Sequence, residues 1–265
     1  MREYRYVTLD PTGNLTCLVL DPAGAEERAG LTRILLKECE QVAYLEKPET
    51  PGAVAAIRLM GGEFCGNAAM AAAAWLVRDE LKAGEEKSFL LEVSGAPDPV
   101  PCRIRALENG YEGTVEMPPV REIRQETIGG IPFTLVRTDG IAHLIHEGRP
   151  LEREADALKE IAGILPDDAI GLLQWDREKM YMDPLVYVRG SGSIVRETGC
   201  GSGSAAVGAL EALRHGDGTR TTPVGQPGGV IRATAAVKGN EILSVQITGH
   251  VRLGKESAVG LPRET

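Results

Sequence analysis

The sequence predicts an α+β chain built from two similar halves, and three observations carry that prediction. Short β-rich runs outnumber helical stretches. One order of elements occurs twice: strands, a helix, more strands, then a Cys-Gly step into an Ala- and Gly-rich helix. The two steps, Cys65-Gly66 and Cys200-Gly201, lie 135 residues apart in a chain of 265. Two copies of one α/β unit, packed face to face, are the simplest architecture that meets all three.

The elements follow in order. Residues 4–9 and 15–20 read as strands around a turn at Pro11-Thr12-Gly13-Asn14. Residues 23–39 have helical spacing, with Leu31, Ile34 and Leu35 on one face. Residues 42–46 and 54–60 read as strands. Residues 66–83 predict an Ala-rich helix stopped by Gly84. Three antiparallel strands are expected at 89–93, 100–107 and 111–117. Met117-Pro118-Pro119 breaks the pattern, and the Arg/Glu-rich stretch after it reads as a linker. This sets an N-terminal lobe at 1–119 with Cys65 and a C-terminal lobe at 120–265 with Cys200, the last residues free to pack back on the first lobe. In the second lobe, strands are expected at 134–138, 141–146, 169–175, 185–188, 230–237 and 242–249. Helices are expected at 152–165 and 201–215, the latter ended by Gly216.

Composition excludes several classes. Net charge is −9, which argues against a nucleic-acid partner and against an anionic membrane surface. No apolar run reaches the roughly 20 residues that span a bilayer, and the N-terminus has no signal-peptide pattern, so a cytoplasmic protein is expected. The five cysteines are odd in number, widely spaced and lack a CxxC pair, so neither a disulfide framework nor a zinc site is expected.

Two of these cysteines stand at helix starts. The segments are Gly62-Glu63-Phe64-Cys65-Gly66-Asn67 and Glu197-Thr198-Gly199-Cys200-Gly201-Ser202-Gly203. A helix N-terminus offers unpaired N–H groups and a positive dipole end, which favour a thiolate and bind a carboxylate. A single such thiol suggests a nucleophile. Two related by duplication suggest acid and base on opposite faces of one carbon, as inversion at Cα requires. The N–H groups would hold the carboxylate as charge builds on it.

These residues resemble the diaminopimelate epimerase superfamily, with its cysteines in CGN and CG[ST]G motifs. Within it the chain is most similar to histidine racemases of opine-type, staphylopine-like metallophore pathways. The resemblance runs nearly end to end. It includes Asp10-Pro11-Thr12-Gly13-Asn14, Cys39-Glu40-Gln41-Val42, Val93-Ser94-Gly95 and Gln226-Pro227-Gly228-Gly229. It implies two pseudo-symmetric lobes, each a β-barrel-like sheet around a central helix, with the active site in the cleft between them. It implies an isomerase with no pyridoxal phosphate and no metal, and a small amino-acid substrate. A homodimer is left open, since the sequence does not set the oligomeric state. Cys65 and Cys200 would be the acid–base pair. Asn14 would sit at the cleft, with Asn67 and the N–H groups of Gly66, Gly201 and Ser202 holding the substrate's α-carboxylate. Glu197 would meet the α-ammonium, and Glu40, with Gln41 as polar neighbour, the imidazole.

Departures point the same way. Diaminopimelate epimerases grip a distal amino-acid group with a Glu-Arg pair and an Asn shortly before a His. Here those places read Val188-Arg189 and Ile141-Ala142-His143. His143 and His146 are read as satisfied core or surface histidines. The rivals are a diaminopimelate epimerase, a racemase of another amino acid, a phenazine-type isomerase, which lacks the paired cysteines, and a non-catalytic amino-acid-binding module.

Overall fold

The computed structural model describes residues 2–262. The chain divides into two compact units, residues 1–116 with 249–265, and residues 117–248. The division falls three residues before the boundary drawn from the sequence, and the last stretch of chain belongs to the first unit. The fold is mixed α+β and dominated by sheet.

In the first unit the strands run in the order β1 (Arg2–Pro11), β2 (Thr16–Val19), β3 (Gln41–Glu46), β4 (Ala53–Leu59), β5 (Glu86–Val93), β6 (Val100–Ala106) and β7 (Tyr111–Glu116). Two pairs are parallel, β2 with β3 and β4 with β5. A parallel pair needs a crossover, and here each crossover is a helix. Helix α1 (Ala25–Leu35) joins the first pair and α2 (Gly66–Leu76) the second.

The two helices differ because their sequences do. Helix α1 buries only Leu31 and Leu35, against Tyr4, Tyr6, Val19, Val42 and Tyr44, and leaves its charged face in water. Helix α2 reads Gly-Asn-Ala-Ala-Met-Ala-Ala-Ala-Ala-Trp-Leu and is buried all round from Gly66 to Trp75. A helix apolar on every side has to be enclosed. Strands β1, β2, β4, β5, β6 and β7 all pack against it, and its alanines let them come close.

The second unit repeats this plan. Its strands run β8 (Glu122–Ile128), β9 (Ile131–Thr138), β10 (Ile141–His146), β11 (Ala169–Asp176), β12 (Tyr181–Val188), β14 (Gly218–Gln226) and β15 (Gly229–Lys238), with β13 (Ser193–Arg196) beside β12. The parallel pairs β10–β11 and β12–β14 are again crossed by helices, α3 (Glu154–Ile164) and α4 (Gly201–His215). Amphipathic α3 packs on the outer cluster around Leu144, Leu172 and Leu185. Helix α4 is buried from Gly203 to Ala212 and is packed by β9, β10, β11, β14 and β15. Residues 241–248 of β16 (Glu241–Leu261) pair with β15, and residues 251–261 pair with β1 of the first unit.

Three expectations change. The stretch read as a linker is strand β8: its polar residues lie on an edge strand, where Arg124 pairs with Glu126 at 2.9 Å and Arg137 with Glu122. Helices α1 and α2 stop four and seven residues early, at Leu35 and Leu76. Beyond Leu76 the charged run Arg78-Asp79-Glu80 forms turns at the surface. Strands β13 and β14 lie where no strand was expected, because β14 carries Pro223 and a run of threonines that hide its alternation.

Candidate active site

Each Cys-Gly step is the first turn of an enclosed helix. Cys65 has extended backbone (φ −137°, ψ 110°) and is the N-cap of α2; its Sγ accepts the Ala68 N–H at 3.4 Å, and its carbonyl accepts that of Ala69 at 3.0 Å. Cys200 (φ −98°, ψ 105°) caps α4 in the same way. Its Sγ accepts the Gly203 N–H at 3.3 Å, and its carbonyl accepts that of Ser204 at 3.0 Å. The N–H groups of Gly66 and Asn67, and of Gly201 and Ser202, fall in the first turn of each helix, which no earlier turn of the same helix precedes. Sulfur and anion-binding N–H groups are thus supplied by one turn of chain.

The two thiols sit in unlike surroundings. Cys65 is half-buried, whereas Cys200 is 2% exposed. Burial pushes the Cys200 thiol well above the ordinary range, and the Glu197 carboxylate beside it adds to the effect, while Ser202 and the Gly203 N–H oppose it. The expectation of a lowered pKa at both helix starts therefore fails at Cys200, because loss of water and a nearby anion outweigh the dipole. The Ser202 hydroxyl lies 3.6 Å from Cys200 Sγ.

A polar chain sits at one end of the first unit's sheet. Thr16 and Gln41 are partners in the parallel β2–β3 pair, so Asn14 and Glu40, just before them, overhang the same sheet end. Gln41 Nε2 donates to Thr16 Oγ1 at 2.8 Å and to Asn14 Oδ1 at 2.5 Å, and Asn14 Nδ2 donates to Glu40 Oε2 at 3.0 Å. Asn14 and Gln41 are buried and Glu40 is exposed. The structure brings Asn14, Glu40 and Gln41 together, and it groups Glu197, Cys200, Gly201 and Ser202 at the start of α4.

Two motifs that carried little weight in the sequence hold the cysteines in place. After β5, Ser94 Oγ donates to the Glu63 carbonyl at 2.8 Å and accepts the Leu59 N–H at 2.9 Å. Gly95 has φ +76°, and a Cβ there would lie 2.4 Å from the Phe64 nitrogen, so only glycine fits. At the end of β14, Gln226 Oε1 accepts the Cys200 N–H at 2.6 Å, and the Gly228 N–H donates to the Thr198 carbonyl at 2.7 Å. Their position after the strand that follows each Cys helix was the available signal.

His143 departs from its reading as a satisfied histidine. It is fully buried on β10, opposite Gly171, with neither ring nitrogen bonded, and burial lowers it to about 4. Its β9 partner Val136 belongs to the cluster that packs Cys200. His146 is held by the carbonyls of Pro132 and Arg149, each at 3.1 Å. Arg189, at the place of the epimerases' distal grip, donates to the carbonyls of Ala162, Leu165 and Asp167 and so caps α3. Of the other thiols, Cys39 donates to the carbonyls of Leu35 and Gln41 at 3.2 and 3.1 Å. Cys102 is pushed up to about 12 by burial, and Cys17 is raised by its hydrogen bond to Cys39.

Its family match and curated relatives make the chain an amino-acid racemase of the class that works without pyridoxal phosphate. The fold is shared with a probable proline racemase from Agrobacterium radiobacter K84, crystallised with bound carbonate: 15% identity, 98% of this chain and 93% of that one covered, TM-score 0.72. The chain belongs to the histidine racemase family, since the model of the histidine racemase CntK N-terminal domain matches residues 3–259. It is 27% identical to a histidine racemase of Staphylococcus aureus over 240 residues, 85% of this chain and 86% of that protein. It is 28% identical to a diaminopimelate epimerase of Xylella fastidiosa over 235 residues, 77% of each.

Proposed function

We propose that the protein interconverts L- and D-histidine, with Cys65 and Cys200 as the two acid–base groups at Cα. The observation that carries this reading is the matched pair of helix starts, each capped by a thiol whose Sγ accepts the N–H three residues on. The reading requires both thiols to reach one Cα, as in a two-lobed arrangement with the substrate in the cleft. One thiolate removes the α-proton while the opposite thiol delivers another, and the roles exchange in the reverse direction. The N–H groups of Gly66, Asn67, Gly201 and Ser202 stabilise the carboxylate as it gains charge. Glu197 receives the ammonium, and Glu40, steadied by Asn14 and Gln41, receives the imidazole. Burial and Glu197 favour the thiol form of Cys200.

The D-histidine would serve opine-type metallophore synthesis in the cytoplasm. Among the described residues no helix is long and apolar enough to cross a membrane. Diaminopimelate is the weaker substrate reading, because Arg189 is engaged with α3 and Val188 stands where a carboxylate is needed.

The test is incubation with single amino acids in heavy water, read by proton NMR and chiral chromatography. Histidine is expected to lose its Cα proton signal and racemise fastest. Cys65→Ser and Cys200→Ser are each expected to lower racemisation about 10²–10⁴-fold. Wild-type exchange in both variants, or faster turnover of diaminopimelate, would sink the proposal.

A further inference from the structure

We infer that Gln226 is a positioning residue for Cys200, fixing the backbone from which that thiol acts. This rests on Cys200 being a reacting group.

Gln226 is the last residue of β14 and is 4% exposed. Its Oε1 accepts the Cys200 N–H at 2.6 Å, and its Nε2 donates to Ser204 Oγ at 2.8 Å. Ser204 is fully buried, and its hydroxyl donates to the Cys200 carbonyl at 2.7 Å. Three hydrogen bonds thus close a ring that holds both backbone groups of Cys200. Burying a glutamine costs side-chain freedom, and its amide has to be satisfied. Here that is achieved on the N-cap of the helix that carries the thiol.

The ring has two chemical effects. It occupies the Cys200 N–H, so the groups left for a carboxylate at this helix start are those of Gly201 and Ser202. It also fixes the N-cap geometry in which Sγ meets the Gly203 N–H at 3.3 Å. A displacement of the reacting sulfur by about 1 Å is enough to cost roughly 10²-fold in rate. The first unit places a comparable device after β5, the topological counterpart of β14, where Ser94 ties down Glu63 two residues before Cys65. The same place in both repeats is thus used to hold the cysteine segment.

The test uses Gln226→Met, Gln226→Glu and Ser204→Ala in the full chain. Thermal unfolding reports folding, and kcat and KM for histidine are read by chiral chromatography. The pH midpoint of Cys200 alkylation by iodoacetamide is read by peptide mass spectrometry. Gln226→Met is expected to lower kcat about 10²-fold, leave KM within about threefold, and move the alkylation midpoint to higher pH as Sγ loses the Gly203 N–H. Gln226→Glu keeps an acceptor for the Cys200 N–H and is expected to recover part of kcat. Ser204→Ala is expected to lower kcat several-fold with a smaller shift of the same sign.

A folded Gln226→Met with wild-type kcat overturns the inference. So does a loss of kcat with an unmoved midpoint and no recovery in Gln226→Glu, which marks a merely structural role. If Gln226→Met does not fold, Ser204→Ala decides, and wild-type kcat with a wild-type midpoint overturns the inference. If the wild-type protein racemises no amino acid, the functional reading fails by itself. The alkylation midpoints alone then decide: a shift supports the positioning role and no shift overturns it.

Discussion

The start of α2 and the start of α4 share one backbone design and differ in how deeply each encloses its thiol. Both place a cysteine at the N-cap, both satisfy its sulfur with the N–H three residues on, and both are held by the segment after the next strand. Yet Cys65 is half-buried, while Cys200 is enclosed beside Glu197 and a neutral, buried His143 lies on the sheet face that packs it. The repeat has kept the geometry that presents a thiol and let its enclosure diverge.

The comparison can be broken most strongly at the first holding device. Gly95→Ala places a Cβ against the Phe64 nitrogen at a left-handed position. It is expected to cost about 3 kcal/mol or more, read by urea unfolding, with loss of activity in the folded fraction. Wild-type stability would show that the two holding devices are not alike.

A second test concerns acid. His143 titrates at about 4 in the folded chain against 6.5 when unfolded. As pH falls, the unfolded chain takes up the proton first, so stability drops between about pH 6.5 and pH 4. The drop is on the order of 3 kcal/mol. The unfolding midpoint is expected to fall over that window and to flatten in His143→Met. An unchanged slope in the variant would remove His143 from the account.

The smallest effect is on thiol reactivity. Near pH 8, iodoacetamide is expected to modify Cys65 at least about tenfold faster than Cys200. Glu197→Gln is expected to lower the Cys200 pH midpoint and narrow the gap. Equal rates in the wild type would erase the difference in enclosure.

The repeat and the Cys helices were legible in the sequence because Ala- and Gly-rich helices that begin at Cys-Gly are unusual, and α4 falls at 201–215 as read. Strand β8 was hidden because an edge strand carries charge where an inner strand would carry apolar alternation. Strand β14 was hidden by Pro223, which stands in the ladder opposite Arg232. In the site, the Asn14–Glu40–Gln41 chain follows from one strand register that no local pattern specifies. The environment of Cys200 was misjudged because a helix start is visible in sequence while its enclosure is tertiary. Gln226 and Ser94 were visible only as pieces of weak motifs, since their partners lie far along the chain.

One strand also bears on how the molecule is made. Strand β1 pairs with residues 251–261, so that Arg2 stands opposite Leu261. A ribosome releases β1 before its partner, with the whole second unit made between them. The first unit, though begun first, is therefore finished only after the second has been synthesised. Until then β1 offers an open edge along this flank, a surface prone to pairing with other chains. Separations this long also make folding slow. The unit carrying Cys65 is thus the later one to complete.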